Sequence, residues 1–211
     1  SISSQSVDEW LKALKIATPA IVKDCGDCEK HVSITSTSGT LLGVDNYGRV
    51  LIGPIMYYER DDEIFEKIKD FEAMKKLSSR STKLDPTSPI VKIYRLSISK
   101  PELYNSVKWF ISPTTYLLYR LFYREGEPWN DVCMDYTNSL KFGLDITSFP
   151  PTWIEDPYAE LGLDISKLPK PVPVGDKIGI ARSRYAEELG LKNATLYQGL
   201  TDGNASALAG G

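Results

Sequence analysis

The stretch from Val32 to Ile52 constrains the fold more than any other part of the chain. Val32-Ser33-Ile34-Thr35 alternates apolar and polar residues, the period of a half-buried strand. Ser36 to Thr40 is a small, hydroxyl-rich turn. Leu41 to Val44 reads as a second strand, Asp45-Asn46-Tyr47-Gly48 as a turn, and Arg49 to Ile52 as the returning strand of a hairpin. A helix stands directly before this stretch. Ser6-Val7-Asp8-Glu9 is a capping box, and Trp10, Leu11, Leu14 and Ala17 follow at helical spacing, which predicts an amphipathic helix over about 7–23 that Pro19 kinks or ends. Helix, strand, loop and hairpin in that order need a sheet with helices packed on it, so the fold class is α/β.

Further along, helices are expected over 61–77, 89–97, 101–110 and 113–124, with Pro101 and Pro113 suited to first turns. Phe149-Pro150-Pro151 breaks the chain. A short helix at Tyr158–Leu163, an extended stretch from Leu168 to Val174 and a strand at Lys177–Ile180 follow. Next come a helix at Arg182–Leu189 stopped by Gly190 and a strand at Ala194–Gln198. Gly199-Leu200-Thr201-Asp202-Gly203-Asn204 opens a final Ala- and Gly-rich helix.

Composition narrows the function. The 211 residues carry 25 Lys+Arg against 28 Asp+Glu, a net charge of -3, which argues against a protein that works by gripping nucleic-acid phosphates. No apolar run is long enough to span a membrane. Ser1-Ile2-Ser3-Ser4-Gln5 is not a signal peptide, and three cysteines do not make a secreted disulfide framework, so a cytoplasmic protein is expected. Because a short terminal helix is marginal without packing, the chain reads as truncated at both ends.

Four motifs carry possible chemistry, each with an ordinary alternative. Cys25-Gly26-Asp27-Cys28 with His31 is a lone C-x-x-C beside the only histidine; it is expected to hold no metal and to be a helix-to-strand loop, with an incidental disulfide as one option. In the turn Tyr197 to Gly203, glycines let backbone approach a ligand and Asp202 can accept a hydroxyl proton; the alternative is an Asp that caps the last helix. Thr37, Ser38 and Gly39 lie just past a strand end, where open α/β sheets bind ligands, and a plain hydroxyl turn is the alternative. Tyr57-Tyr58-Glu59-Arg60 pairs aromatic faces with charges, which suits a sugar and equally suits an interface or a solvated helix start.

Taken in order, these segments resemble the FGGY family of carbohydrate kinases, xylulokinase-like members in particular. Gln5 to Trp10 resembles the approach to the family's first long helix. Val32 to Asp45 resembles its strand, sugar-contacting turn and strand, and Pro54 to Arg60 its segment with Trp, Asp and Arg. Ser112 to Leu121 and Asp135 to Ser139 resemble its insertion helices. Leu161 to Asp164, Leu168-Pro169, Val172-Pro173 and Ile178-Gly179 precede the turn Gly199 to Ala205, which resembles the catalytic turn. In one family signature Pro89, Lys92, Ile93 and Leu96 fit, while Thr87 and Arg95 depart from it. Tyr57 stands where a Trp is usual, Glu59 where the usual acid stands, and Gly203 follows Asp202 in place of a long amide.

The resemblance implies a partial actin-like, ribonuclease-H-like α/β domain over 1–211 with a helical insertion at 61–150, without the Gly-rich phosphate hairpin and the ATPase domain of a complete kinase. It implies ATP and magnesium as cofactors of the whole enzyme and a sugar or polyol, most naturally a pentulose such as xylulose, as acceptor. Asp202 would be the catalytic base, and Thr37, Ser38, Gly39, Tyr57 and Glu59 would bind the sugar, with Arg60 a weaker candidate. The chain alone is expected to be inactive and to pair as a homodimer through an uncovered sheet edge. The rival expectation is a non-enzymatic α/β binding or scaffold module.

Overall fold

The computed structural model describes residues 5–26 and 28–210. Ser1-Ile2-Ser3-Ser4, Asp27 of the C-x-x-C and Gly211 lie outside the described residues.

Helix α1 (Val7–Val22) starts as the capping box dictates. Ser6 Oγ accepts from Glu9 N at 3.2 Å, and Glu9 Oε2 accepts from Ser6 N at 2.9 Å. Pro19 sits inside the helix without ending it.

Three small sheets place the later site. Strands β1 (His31–Val32), β11 (Thr195–Tyr197) and β10 (Lys177–Ile180) form one sheet in the order β1-β11-β10, with β1 parallel to β11. Strands β2 (Thr35–Ser36) and β12 (Leu200–Thr201) form a parallel pair, Leu200 opposite Thr35 and Thr201 opposite Ser36. Strands β3 (Leu41–Val44) and β4 (Val50–Ile55) are the expected hairpin. Asp45 Oδ1 closes its turn by accepting from Tyr47 N at 2.8 Å and Arg49 N at 2.9 Å. Among the described residues, β1 has a strand neighbour on one side only.

The expected helix at 101–110 is corrected. Helix α5 (Pro101–Ser106) stops early, and β5 (Trp109–Ile111) adds to β3, giving the antiparallel order β4-β3-β5. The reason is burial on both faces. Leu41 and Phe110 enter one core cluster, while Leu42, Val44, Trp109 and Ile111 enter another, the alternation a strand provides and a helix does not. The expected helix at 61–77 is likewise two helices, α2 (Asp62–Ile68) and α3 (Glu72–Arg80). The chain turns at an extended Phe71, and Ile64, Ile68, Met74 and Leu77 still reach one core.

Helices α4 (Pro89–Ser99) and α6 (Pro113–Phe122) both begin on proline, as expected. The region at 61–150 is mainly helical but also contains β5, β6 (Cys133–Asp135) and β7 (Leu144–Asp145), with the short α7 (Tyr136–Ser139) between the last two. Strand β6 pairs parallel with β9 (Lys170–Val172), and β7 pairs with β8 (Thr152–Trp153). Helices α8 (Glu155–Glu160), α9 (Arg184–Glu188) and α10 (Asp202–Ala209) complete the chain. No helix among the described residues is long and apolar enough to cross a membrane.

Candidate functional site

The register of β2 and β12 builds the site. Ser36 faces Thr201 across a parallel pair, so the next residues, Thr37 and Asp202, leave the same end of neighbouring strands, which lie about 4.8 Å apart in any sheet. The Ser38–Gly39 turn and the first turn of α10 therefore sit side by side at the carboxyl ends of two parallel strands, the place where α/β sheets bind ligands.

Gly199 permits this approach. A Cβ built there would stand 1.8 Å from the Ile34 carbonyl oxygen and 2.8 Å from Thr114 Cγ2, so its missing side chain makes room for the neighbouring strand. A Cβ at Gly203 would meet nothing within 4 Å, and this is where open space lies beside Asp202.

Asp202 is the first residue of α10, and the N-cap is Thr201. The simple capping alternative for Asp202 is thus corrected: its Oδ1 accepts only from the adjacent Gly203 N, at 2.8 Å, and the side chain is exposed. Its backbone is held from behind. Thr201 N donates to Thr137 Oγ1 at 3.0 Å, and that hydroxyl donates to the fully buried Asp135 at 2.6 Å. Asp135 also accepts from Asn138 N at 3.0 Å and Asn138 Nδ2 at 2.7 Å. The Asp135-to-Ser139 segment thus supports the strand that presents Asp202.

The opposite wall is made by two turns. Gly39 takes a left-handed φ of 82°, and Tyr57 Cβ and Lys141 Cγ would lie 3.8 and 3.9 Å from a Cβ there. Thr40 Oγ1 accepts from Tyr57 N at 3.2 Å and lies 3.0 Å from Thr37 Oγ1, which joins the turns. Thr37 thus spends part of its hydrogen-bonding capacity inside the protein. Glu59 Oε1 accepts from Met56 N at 2.8 Å, so that oxygen shapes its own turn. Tyr57 is 45% exposed and meets Tyr58 edge-on at 5.1 Å, leaving ring surface for a ligand. Arg60 turns away to pair with Asp62 at 2.6 Å. Lys92, singled out in the sequence only as part of a pattern, is buried beneath both turns. Burial pushes its pKa down to about 8, against the nearby carboxylates of Glu59 and Asp85, while Arg95 adds to the downward push.

Cys25 and Cys28 are joined by a disulfide, and His31 meets Tyr197 Oη at 3.2 Å and Glu29 at 3.5 Å. Among the described residues, no three of His, Cys, Asp and Glu converge as metal ligands would. A magnesium carried by a nucleotide needs only one or two carboxylates beside the phosphates, and Asp202 is an exposed carboxylate at this strand end.

This architecture is that of a known family. The chain matches the model described as the FGGY family of carbohydrate kinases, N-terminal domain, over residues 1–209. It belongs to that family, and its mixed α/β fold is the actin-like, ribonuclease-H-like fold of that domain. No curated protein matches the sequence. Similar solved structures include the gluconate kinase from Lactobacillus acidophilus (18% identity, TM-score 0.78, covering 96% of this chain and 40% of that one). The xylulose kinase from the same organism gives 18%, 0.78, 97% and 41%. The glycerol kinase from Plasmodium falciparum, solved with ADP, gives 17%, 0.76, 97% and 41%. The chain thus spans about two fifths of the length of these solved kinases, which share its fold. Sugar kinases of the family use ATP and a divalent metal.

Proposed function

We propose that this chain carries the acceptor side of a cytoplasmic sugar kinase, with a pentulose such as xylulose as the substrate class. The observation that carries this reading is the parallel pairing of β2 with β12, which sets the hydroxyl turn and the Asp202 carboxylate at one strand end. A sugar lies against Tyr57, with hydroxyls bonded to Ser38, Thr37, the Gly39 backbone and Glu59. Asp202 accepts the proton of the attacking hydroxyl as that oxygen bonds to phosphorus and the bond to the leaving ADP breaks. ATP, when bound, supplies the phosphoryl group, and its magnesium neutralises charge. What this chain contributes is orientation and a proton acceptor, which is what phosphoryl transfer asks of a protein.

Nucleotide contacts are assigned to protein outside these residues, so the 211-residue chain by itself is expected to turn over no ATP. A second copy, pairing along the open side of β1, is the expected protein partner. Sugar-dependent ADP release by the protein that contains this chain, abolished when pentuloses are withheld, is the test. A protein that binds sugar yet never consumes ATP in any complete form would instead be a binding module.

A further inference from the structure

The two turns of the sugar wall come from different connections, one after β2 and one after β4. Thr40 joins their rims. Deeper in, the join is made by the one buried cation among the described residues, Lys92, which is 1% exposed. Helix α4 delivers it there. Pro89 opens the helix, and Ile90, Val91, Ile93 and Leu96 are buried around the lysine. Its Nζ donates to the Met56 carbonyl at 2.7 Å and reaches the Gly39 carbonyl at 3.5 Å. These are the backbone groups just before Tyr57 and just after Ser38.

We propose that Lys92 is the positioning residue of this site: its ammonium clamps the Ser38–Gly39 turn to the Met56–Glu59 turn, so that the two turns present one fixed rim to the ligand. An ammonium suits this because it donates in several directions and its bonds are charge-assisted. The groups that face it are Glu59 on the second turn, Asp85 on the loop before α4 and Arg95 on α4 itself. Two carboxylates against one guanidinium favour the charged lysine, and burial opposes it. Losing the proton leaves two weaker donors for the same carbonyls. The clamp stands on the geometry alone; its consequence for the ligand rests on the sugar-binding reading above.

The test is hydrogen exchange together with sugar titration on the wild type and on Lys92→Met, using xylulose as the probe. In Lys92→Met, segments 37–40 and 56–60 should exchange about tenfold faster, the scale of one lost charge-assisted bond, while β3 and β11 stay protected. Xylulose affinity should fall by a similar factor, and in the active protein KM should rise more than kcat falls. Unchanged protection of both turns in the variant overturns the proposal, and so do open turns with unchanged affinity. If that variant does not fold, Lys92→Gln takes its place, and unchanged protection of both turns in it overturns the proposal. Loosened turns in the variant, beside a wild type that binds no xylulose, would retain the clamp and reject the sugar reading.

Discussion

The two walls of the site are built in opposite ways. The Ser38–Tyr57 wall is anchored from within: Gly39, Thr40 and Met56 are buried, Glu59 folds back on its own turn, and Lys92 holds both turns from below. The Asp202 wall has little beneath it. Helix α10 buries no residue, and Asp202 is exposed. What fixes Asp202 is the strand before it, through its pairing with β2 and the bond from Thr201 N to Thr137. The Ser38–Tyr57 side is thus preorganised by packing, and the Asp202 side by register.

That contrast makes the substitutions separable. The largest effect is expected from Asp202→Asn in the active protein: kcat falls by about 10²–10⁴-fold, the range of general-base catalysis, with sugar affinity and melting temperature nearly unchanged. Gly199→Ala strikes the register itself. With backbone 1.8 Å from the new methyl group, the strands must part, and stability should drop by about 3 kcal/mol in urea unfolding. Thr137→Val removes a hydroxyl that serves both Thr201 N and Asp135, which should cost about 1–3 kcal/mol and lower kcat more than it raises KM.

The smallest effect follows from Lys92 and has a definite sign. Its folded pKa is about 8, below the ordinary 10.5, so below pH 8 it is charged in both states and its contribution is constant. Between pH 8 and 10.5 the folded protein sheds the proton and the unfolded chain keeps it, so stability rises with pH. The stability difference between wild type and Lys92→Met should therefore shift in favour of the wild type by about 1 kcal/mol from pH 7 to pH 9. A flat difference would remove Lys92 from the buried wall.

Much of the first wall was legible in the sequence because its signals are local. The capping box of α1, the Asp45–Gly48 turn and the Ser36–Thr40 hydroxyl run each act within a few residues. The second wall was legible as a motif but not as a mechanism. A two-residue strand has no period to read, so the pairing of β12 with β2 leaves no trace in either segment alone. The sequence offers Gly199 as a place where backbone approaches a ligand, yet the space it leaves is filled by Ile34. Strand β5 was hidden because Pro101 announces a helix and three residues are too few to declare alternation. The burial of Lys92 depends on what α4 packs against. Its apolar neighbours Ile90, Val91 and Ile93 were the available hint that the helix is buried on more than one face.

The two walls are expected to share one ligand. Titrating xylulose into the isotopically labelled protein and following backbone amides tests this most directly. Gly39 and Tyr57 on one wall and Asp202 and Gly203 on the other should shift together and fit a single Kd. Shifts confined to one wall, or two walls that titrate with different constants, would contradict it.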